Sequence, residues 1–414
     1  VGLALAGGGP LGAIFEIGAL CALAESIRGL DFTALDGYVG VSAGGFIAAG
    51  LANGMNPRAL AASFIENRGP RQDVILPSHI FRPAWAEYAR RASRLPTLAA
   101  QAAWRDAIGR GTLLGAFERL GRALPAGLFS NAPLERRLRE VFAVPGRTND
   151  FRRLSRRLVL VATDLDTGEA APFGEPGWDH VPISQAVAAS AALPGVFPPV
   201  EIDGRWYVDG ALKKTLHARV LLDMGMDLVI CLNPLVPFDA SHPLRHRVLG
   251  GAGERIPHLV DGGLPLVLSQ TFRSLIHSRL ELGFKGYEAS HPGTDLLLFE
   301  PDQRDPELFV ANTFAFSMRR LLAEHAYQHT RSDLRSRRSE LRATLRHHGL
   351  SLDEATLDDR HRTLVPRRRV SPRPQPSPAA HALRRLDELL NDLESTLPTL
   401  SPPGSVQRGG RRAT

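Results

Sequence analysis

Gly37-Tyr38-Val39-Gly40-Val41-Ser42-Ala43-Gly44-Gly45-Phe46 is the stretch on which the fold turns. Gly37 to Val41 is short and apolar, as a buried strand requires. Gly44 to Leu51 is a run of small and apolar residues that reads as a helix stopped at Asn53-Gly54. Ser42 stands at the turn between them, inside a G-x-S-x-G pattern closed by Gly40 and Gly44. A strand that turns sharply into a helix brings backbone against backbone, so side chains at 40 and 44 would clash. The same turn holds the serine hydroxyl exposed, which makes Ser42 the candidate nucleophile.

Upstream, Val1 to Ala6 reads as a strand, Gly7-Gly8-Gly9 as a turn and Pro10 to Ile27 as a helix with Pro at its first position. Glycine amides at the positive end of a helix dipole suit an anion. They would serve the oxyanion of an acyl transfer, but Gly7, Gly9 and Gly12 also satisfy the G-x-G-x-x-G of a dinucleotide site. The loop alone leaves both chemistries open. The second needs an acidic residue at the end of the next strand; Asp31 lies near that distance but follows a helix-like stretch.

Downstream, strands are expected at Leu158 to Thr163, Val200 to Ile202, Trp206 to Val208, Asp227 to Leu232 and Asp295 to Phe299, with a hairpin at Asp203-Gly204. Strands alternating with helices give an α/β fold with a central, mainly parallel sheet covered on both faces. Asp209-Gly210-Ala211 leaves the hairpin, and Asp209 is the candidate base. A carboxyl group with an ordinary pKa near 3.9 is a weak base for serine, so this pair works only if burial raises that value. His217 follows too closely to form a separate triad loop. In α/β-hydrolases several strands precede the elbow; here one strand and a glycine loop do.

The composition, 43% apolar and 22% charged over 414 residues, is that of a globular protein. Two cysteines, Cys21 and Cys231, are too few for a disulfide framework, and both lie in apolar runs. A reducing, cytoplasmic setting is the expectation, with peripheral membrane association; residue 1 is Val, so an upstream signal stays open. The net charge of +7 is unevenly placed: residues 55–125 and 301–414 each carry +6, and the remainder is net negative. Zinc-finger spacing and RNP-type strands are missing, so no nucleic-acid partner is expected.

Together, Gly7 to Gly12, Gly40 to Gly44 and Asp209-Gly210-Ala211, in this order, resemble the bacterial patatin-like phospholipase family. Ala162 to Gly168 and Ala189 to Pro199 look like that family's connecting blocks. The resemblance implies a three-layer sandwich and lipid acyl hydrolysis of the phospholipase A or lysophospholipase type, with no metal and no cofactor. Ser42 matches the nucleophile, Asp209 the base, and Gly8 with Gly9 the oxyanion hole; a neutral-lipid esterase of the same fold is the near alternative. Two positions depart from the pattern. Leu11 stands where the family usually carries Arg or Lys, which removes a charge that would meet a phosphate, and Leu212 to His217 lacks the Asn and Pro that often follow the aspartate.

The expected organisation is a catalytic domain over 1–235 with a helical insertion or cap at 55–150. A helical extension follows at 236–348, with Phe314 to His348 as one long helix. A basic, low-complexity, disordered tail completes it at 349–414, interrupted by a short amphipathic helix at 380–397. Trp85, Tyr88 and Trp104 among the arginines of 55–125 suggest contact with an anionic membrane. His325 and His329, four apart, read as solvated helix histidines, and Asp164 with Asp166 as a turn.

Overall fold

The computed structural model describes residues 1–98, 100–101, 124–214, 216–241, 258–310 and 318–365. Among these are ten strands: β1 Gly2–Leu5, β2 Ile27–Arg28, β3 Gly37–Val41, β4 Arg157–Asp164, β5 Ala170–Phe173, β6 Val200–Ile202, β7 Arg205–Asp209, β8 Leu228–Leu232, β9 Asp295–Phe299 and β10 Ser351–Leu352. The main sheet has the order β6-β7-β4-β3-β1-β8-β9, with β5 also on β4. β1 pairs in parallel with β3 and β8, β3 with β4, and β8 with β9. The antiparallel pairs are β4 with β5 and β7, and β6 with β7. The expected α/β class with a mainly parallel sheet is what the chain forms.

Strand periodicity divides the core into two faces. Leu3, Leu5, Tyr38, Leu158 and Leu160 point into one apolar cluster; Ala4, Ala6, Val39, Val41, Val159 and Val161 point into another. The first face is covered by helix α1 (Gly9–Ser26), helix α2 (Ala43–Ala52) and the helices Ile183–Ser190 and Arg319–Ser336. The second is covered by Arg219–Asp223 and Gly263–Ser290. Three layers result. α1 is long and apolar enough to cross a membrane, yet it is mostly buried inside the protein. It packs closely on Arg319–Ser336, where a Cβ on Gly18 would lie 2.6 Å from the Ala323 carbonyl oxygen.

The hairpin between β6 and β7 turns on Asp203 (φ 51°) and Gly204 (φ 74°), the left-handed pair that a two-residue hairpin of this hand demands. In two places the chain departs from expectation. The long helix after 300 is broken at Arg337 into Arg319–Ser336 and Arg338–His347, with the Arg337 side chain drawn to the Leu298 carbonyl oxygen (3.0 Å); Phe314 lies outside the described residues. Residues 349–365, expected in the tail, are folded: β10 pairs with β2, Glu354–Asp358 is helical, and Leu350, Leu352, Leu357 and Leu364 are buried. Leucines spaced for burial outweigh the polar composition around them. Residues 366–414, including the expected helix at 380–397, lie outside the described residues.

Candidate active site

Val41 of β3 pairs with Val161 of β4, and the next residue of β4, Ala162, pairs with Asp209 of β7. Adjacent rungs of one strand therefore hold the strand that ends just before Ser42 and the strand that ends on Asp209. Ser42 takes φ 53° and ψ −120°, a left-handed conformation that a serine adopts at a cost of ~1–3 kcal/mol. It is held there from several sides. Its amide donates to Ser190 Oγ (2.8 Å), whose hydroxyl donates to the Val161 carbonyl oxygen (2.6 Å). Its own carbonyl accepts the amides of Gly45 (3.0 Å) and Phe46 (3.3 Å), and the Gly44 amide donates to Ala6 (3.2 Å).

Gly40 and Gly44 answer a steric need. A Cβ on Gly44 would lie 2.5 Å from the Ala6 oxygen, and one on Gly40 would lie 2.6 Å from the Gly44 oxygen. Gly210 presses against the Val161 carbonyl in the same way, at 2.2 Å. Gly7 lies beside Ser42, where a Cβ would be 3.2 Å from Ser42 Cβ, while Gly8 and Gly12 abut Pro234. Gly8 caps α1 and Gly9 begins it with φ 59°. The amides of Gly8 and Gly9 donate to no acceptor among the described residues, and neither does that of Ala43 at the start of α2.

Asp209 is buried, 3% exposed. Burial pushes its carboxyl from 3.8 up to about 6, against the opposing pull of the Ser42 side-chain hydrogen bond and the Ala211 amide (2.8 Å). Its backbone is fixed by the Ala192 carbonyl, which accepts its amide (3.0 Å), and by Thr163 Oγ1, which donates to its carbonyl (3.3 Å). His217 is buried and lowered to about 4 by that burial, and its Nε2 has no hydrogen-bond partner among the described residues. No hydrogen bond joins it to Ser42 or Asp209 among the described residues.

Residues 3–222 match the family model for the patatin-like phospholipase domain. The chain belongs to the patatin-like phospholipase family. Family membership supports lipid acyl hydrolysis in general terms. Uncharacterized NTE family proteins of Mycobacterium bovis and Mycobacterium tuberculosis are 36% identical over 73 residues, 18% of this chain. The match spans about a fifth (19%) of the length of these curated relatives. VipD from Legionella pneumophila is similar to 81% of this chain and over 66% of its own, with a TM-score of 0.35 and 18% identity.

In this patatin-like chain the departure at Leu11 has a structural form: the side chain is buried in the core beside the glycine loop. Asp31, the acid a dinucleotide site would need, accepts the Thr33 amide and hydroxyl (both 2.8 Å) in a turn. The strand next to β1 ends at Val41, just before Ser42, instead. Asp164 closes the expected turn, its Oδ1 accepting the Asp166 and Thr167 amides (both 3.0 Å). His325 and His329 are not solvated; they are half-buried, on the Asp305 carboxylate and the Glu300 carbonyl. Asp295, His347 and His348 bring three ligand atoms within 4.8 Å of one another. Asp295 opens the edge strand β9, at the end of the sheet opposite to Ser42, and its hydrogen bond with His348 Nε2 (2.7 Å) accounts for the cluster.

Ser190 and the Ala43 amide are absent from the sequence expectations. A serine in an alanine-rich helix carries no pattern of its own, and an amide carries none at all. The position directly after Ser42 in the elbow was the available signal for Ala43.

Proposed function

We propose that this protein hydrolyses carboxylic esters of lipids with Ser42 as nucleophile and Asp209 as its base. The observation that carries the reading is Ser42 in a left-handed turn, with the rungs of β4 bringing beside it a buried aspartate whose pKa burial has raised to about 6. At neutral pH such a carboxylate is mostly ionised, yet a far stronger base than an exposed one. Ser42 Oγ attacks the ester carbonyl carbon as its proton passes to Asp209. The carbonyl oxygen becomes an oxyanion facing the Gly8 and Gly9 amides, with Ala43 as a further donor. Collapse breaks the ester C–O bond, and the leaving alcohol takes the proton from Asp209. Water then attacks acyl-Ser42, Asp209 takes its proton, and the carboxylic acid leaves as Ser42 recovers its hydrogen.

The cap supports a lipid-surface setting. Trp85 is 69% exposed, Leu95 and Leu124 are exposed, and the exposed Arg82 and Arg94 have no carboxylate partner among the described residues. Arg90 and Arg91 share the single Glu87 carboxylate, which leaves the trio with a net charge of +1. An aromatic and apolar surface with unpaired arginines fits peripheral contact with an anionic membrane.

Ser42→Ala is the test. A p-nitrophenyl acyl ester should be turned over by the wild type alone, and a fluorophosphonate should label the wild type alone, with both proteins folded. Turnover by the variant would overturn the assignment. A lipid panel then separates phospholipid from neutral-lipid substrates.

A further inference from the structure

The cap also contains a cleft that the proposed chemistry leaves unused. Its volume is about 460 Å³, within the size range of small-ligand sites. It lies between the short helix Pro77–Ile80 and the helix Ala132–Phe142. Three arginines line it and one acid, Glu140. Arg137 is fully committed: it donates to the Val74 carbonyl (2.9 and 3.2 Å), to the Arg71 carbonyl (2.5 Å) and to Glu140 (2.7 Å). Glu140 is thereby neutralised.

The remaining polar groups are all donors. Arg82 and Arg136 donate to no acceptor among the described residues. His79 accepts the Leu76 amide at Nδ1 (3.1 Å), which leaves its proton on Nε2. Burial and the Arg137 charge favour its neutral form, so it adds a donor without a further charge. The Ser78 hydroxyl has no partner among the described residues. Arg82, Arg136 and Ser78 are exposed, and two guanidinium groups without a carboxylate partner among the described residues, with a hydroxyl and an imidazole N–H beside them, match an anion rich in acceptor oxygens. A phosphate fits best, since each guanidinium offers a planar fork to two of its oxygens.

The cleft is joined to the reaction centre through packed backbone and rings. The Ser130 amide donates to the Arg82 carbonyl (2.8 Å), and the Phe129 amide to the Val196 carbonyl (2.8 Å). Phe81, Phe129 and Phe197 stand ring to ring at 5.4 and 6.2 Å. The strand of contacts ends at Ala192, whose carbonyl holds the Asp209 amide.

We propose that this cleft is a phosphate-binding subsite that takes the phosphate of a lipid headgroup or of a soluble phosphate ester. Its role in substrate choice rests on the acyl-hydrolase reading; its binding of phosphate does not. The test therefore starts with the full chain carrying Ser42→Ala. Titration calorimetry with inorganic phosphate and with glycerol 3-phosphate should show saturable binding at one site. Arg136→Gln should weaken it by about tenfold or more, and Arg136→Lys less, because charge is kept and the fork is lost. In the Ser42-containing enzyme, Arg136→Gln should lower turnover of phosphatidylglycerol relative to a p-nitrophenyl ester by a similar factor. Weakened soluble binding with an unchanged ratio of turnover assigns the cleft to soluble phosphate esters. Phosphate binding equal in the wild type, Arg136→Gln and Arg82→Gln, or absent from all, overturns the proposal. Failure of the acyl-hydrolase reading would show separately, as no ester turnover by the wild type.

Discussion

Replacing Asp209 by Asn should abolish turnover and at the same time stabilise the fold at alkaline pH. In the folded chain the carboxyl is raised from 3.8 to about 6, chiefly because it is buried. At about 1.4 kcal/mol per pH unit, ionising it in place costs roughly 3 kcal/mol more than ionising it in the unfolded chain. The folded pKa is the higher one. Its contribution to stability is therefore fully present below about pH 4 and is lost as pH rises through 6. Asn keeps an oxygen for the Ala211 amide and the Ser42 hydroxyl but never ionises. Urea unfolding should show Asp209→Asn more stable than wild type at pH 8, by up to about 3 kcal/mol, with the gap closing toward pH 4. Over the same range, wild-type kcat/KM should fall about tenfold per pH unit below 6, as the base is protonated. The variant should lose about 10²- to 10⁴-fold in rate. A variant less stable than wild type by the same amount at pH 4 and pH 8 would refute the idea that burial of charge governs this residue.

Ser190→Ala removes the hydroxyl that joins the Ser42 amide to the Val161 carbonyl and leaves both buried groups unmet. Unfolding should show a loss of about 1–3 kcal/mol, and fluorophosphonate labelling of Ser42 should slow, whereas a merely structural role would leave labelling of the folded protein untouched. Glu16 on α1 is fully buried, neither carboxyl oxygen has a hydrogen-bond partner, and burial pushes its pKa well up. With the folded value raised, its stabilising contribution is present at low pH and lost as pH climbs. Glu16→Gln should therefore raise Tm at pH 9 more than at pH 5. Salt should weaken binding to anionic liposomes through the cap more than it slows hydrolysis of a soluble ester; equal effects on both would argue against electrostatic docking.

The parts legible in the sequence are those whose chemistry is local. Gly40 and Gly44 announce the elbow because only glycine fits where two backbones touch, and Asp203-Gly204 announces the hairpin because its conformations are left-handed. Asp209 follows from that hairpin. Registers are not local: that Val41 and Asp209 meet neighbouring residues of β4 depends on strands far apart in the chain. The two-residue pair of β2 with β10 escaped for the same reason, since nothing within Ser351-Leu352 signals a partner at Ile27-Arg28. The break at Arg337 escaped because it answers to the Leu298 carbonyl, outside the helix itself.

The site gathers, among the described residues, a left-handed serine, a buried carboxyl and unpaired amides in one place. Ser42 is held left-handed, Asp209 is buried beside it, and the Gly8, Gly9 and Ala43 amides have no acceptor among the described residues. The serine and the aspartate are held by contacts from different parts of the chain: Ser190 from one helix, Ala192 from the segment after it, and Ala6, just past β1, through the Gly44 amide. Preorganisation of this kind has a consequence for specificity. On the proposed reading, a rigid centre built from backbone and two side chains recognises an ester carbonyl and little else, and Leu11, turned into the core, contributes no charge to it. Selection among lipids must then come from surfaces beyond the centre. The arginine-lined cleft between Pro77–Ile80 and Ala132–Phe142, joined to Asp209 through Phe129 and the Leu193–Val196 segment, is the surface we propose to supply it.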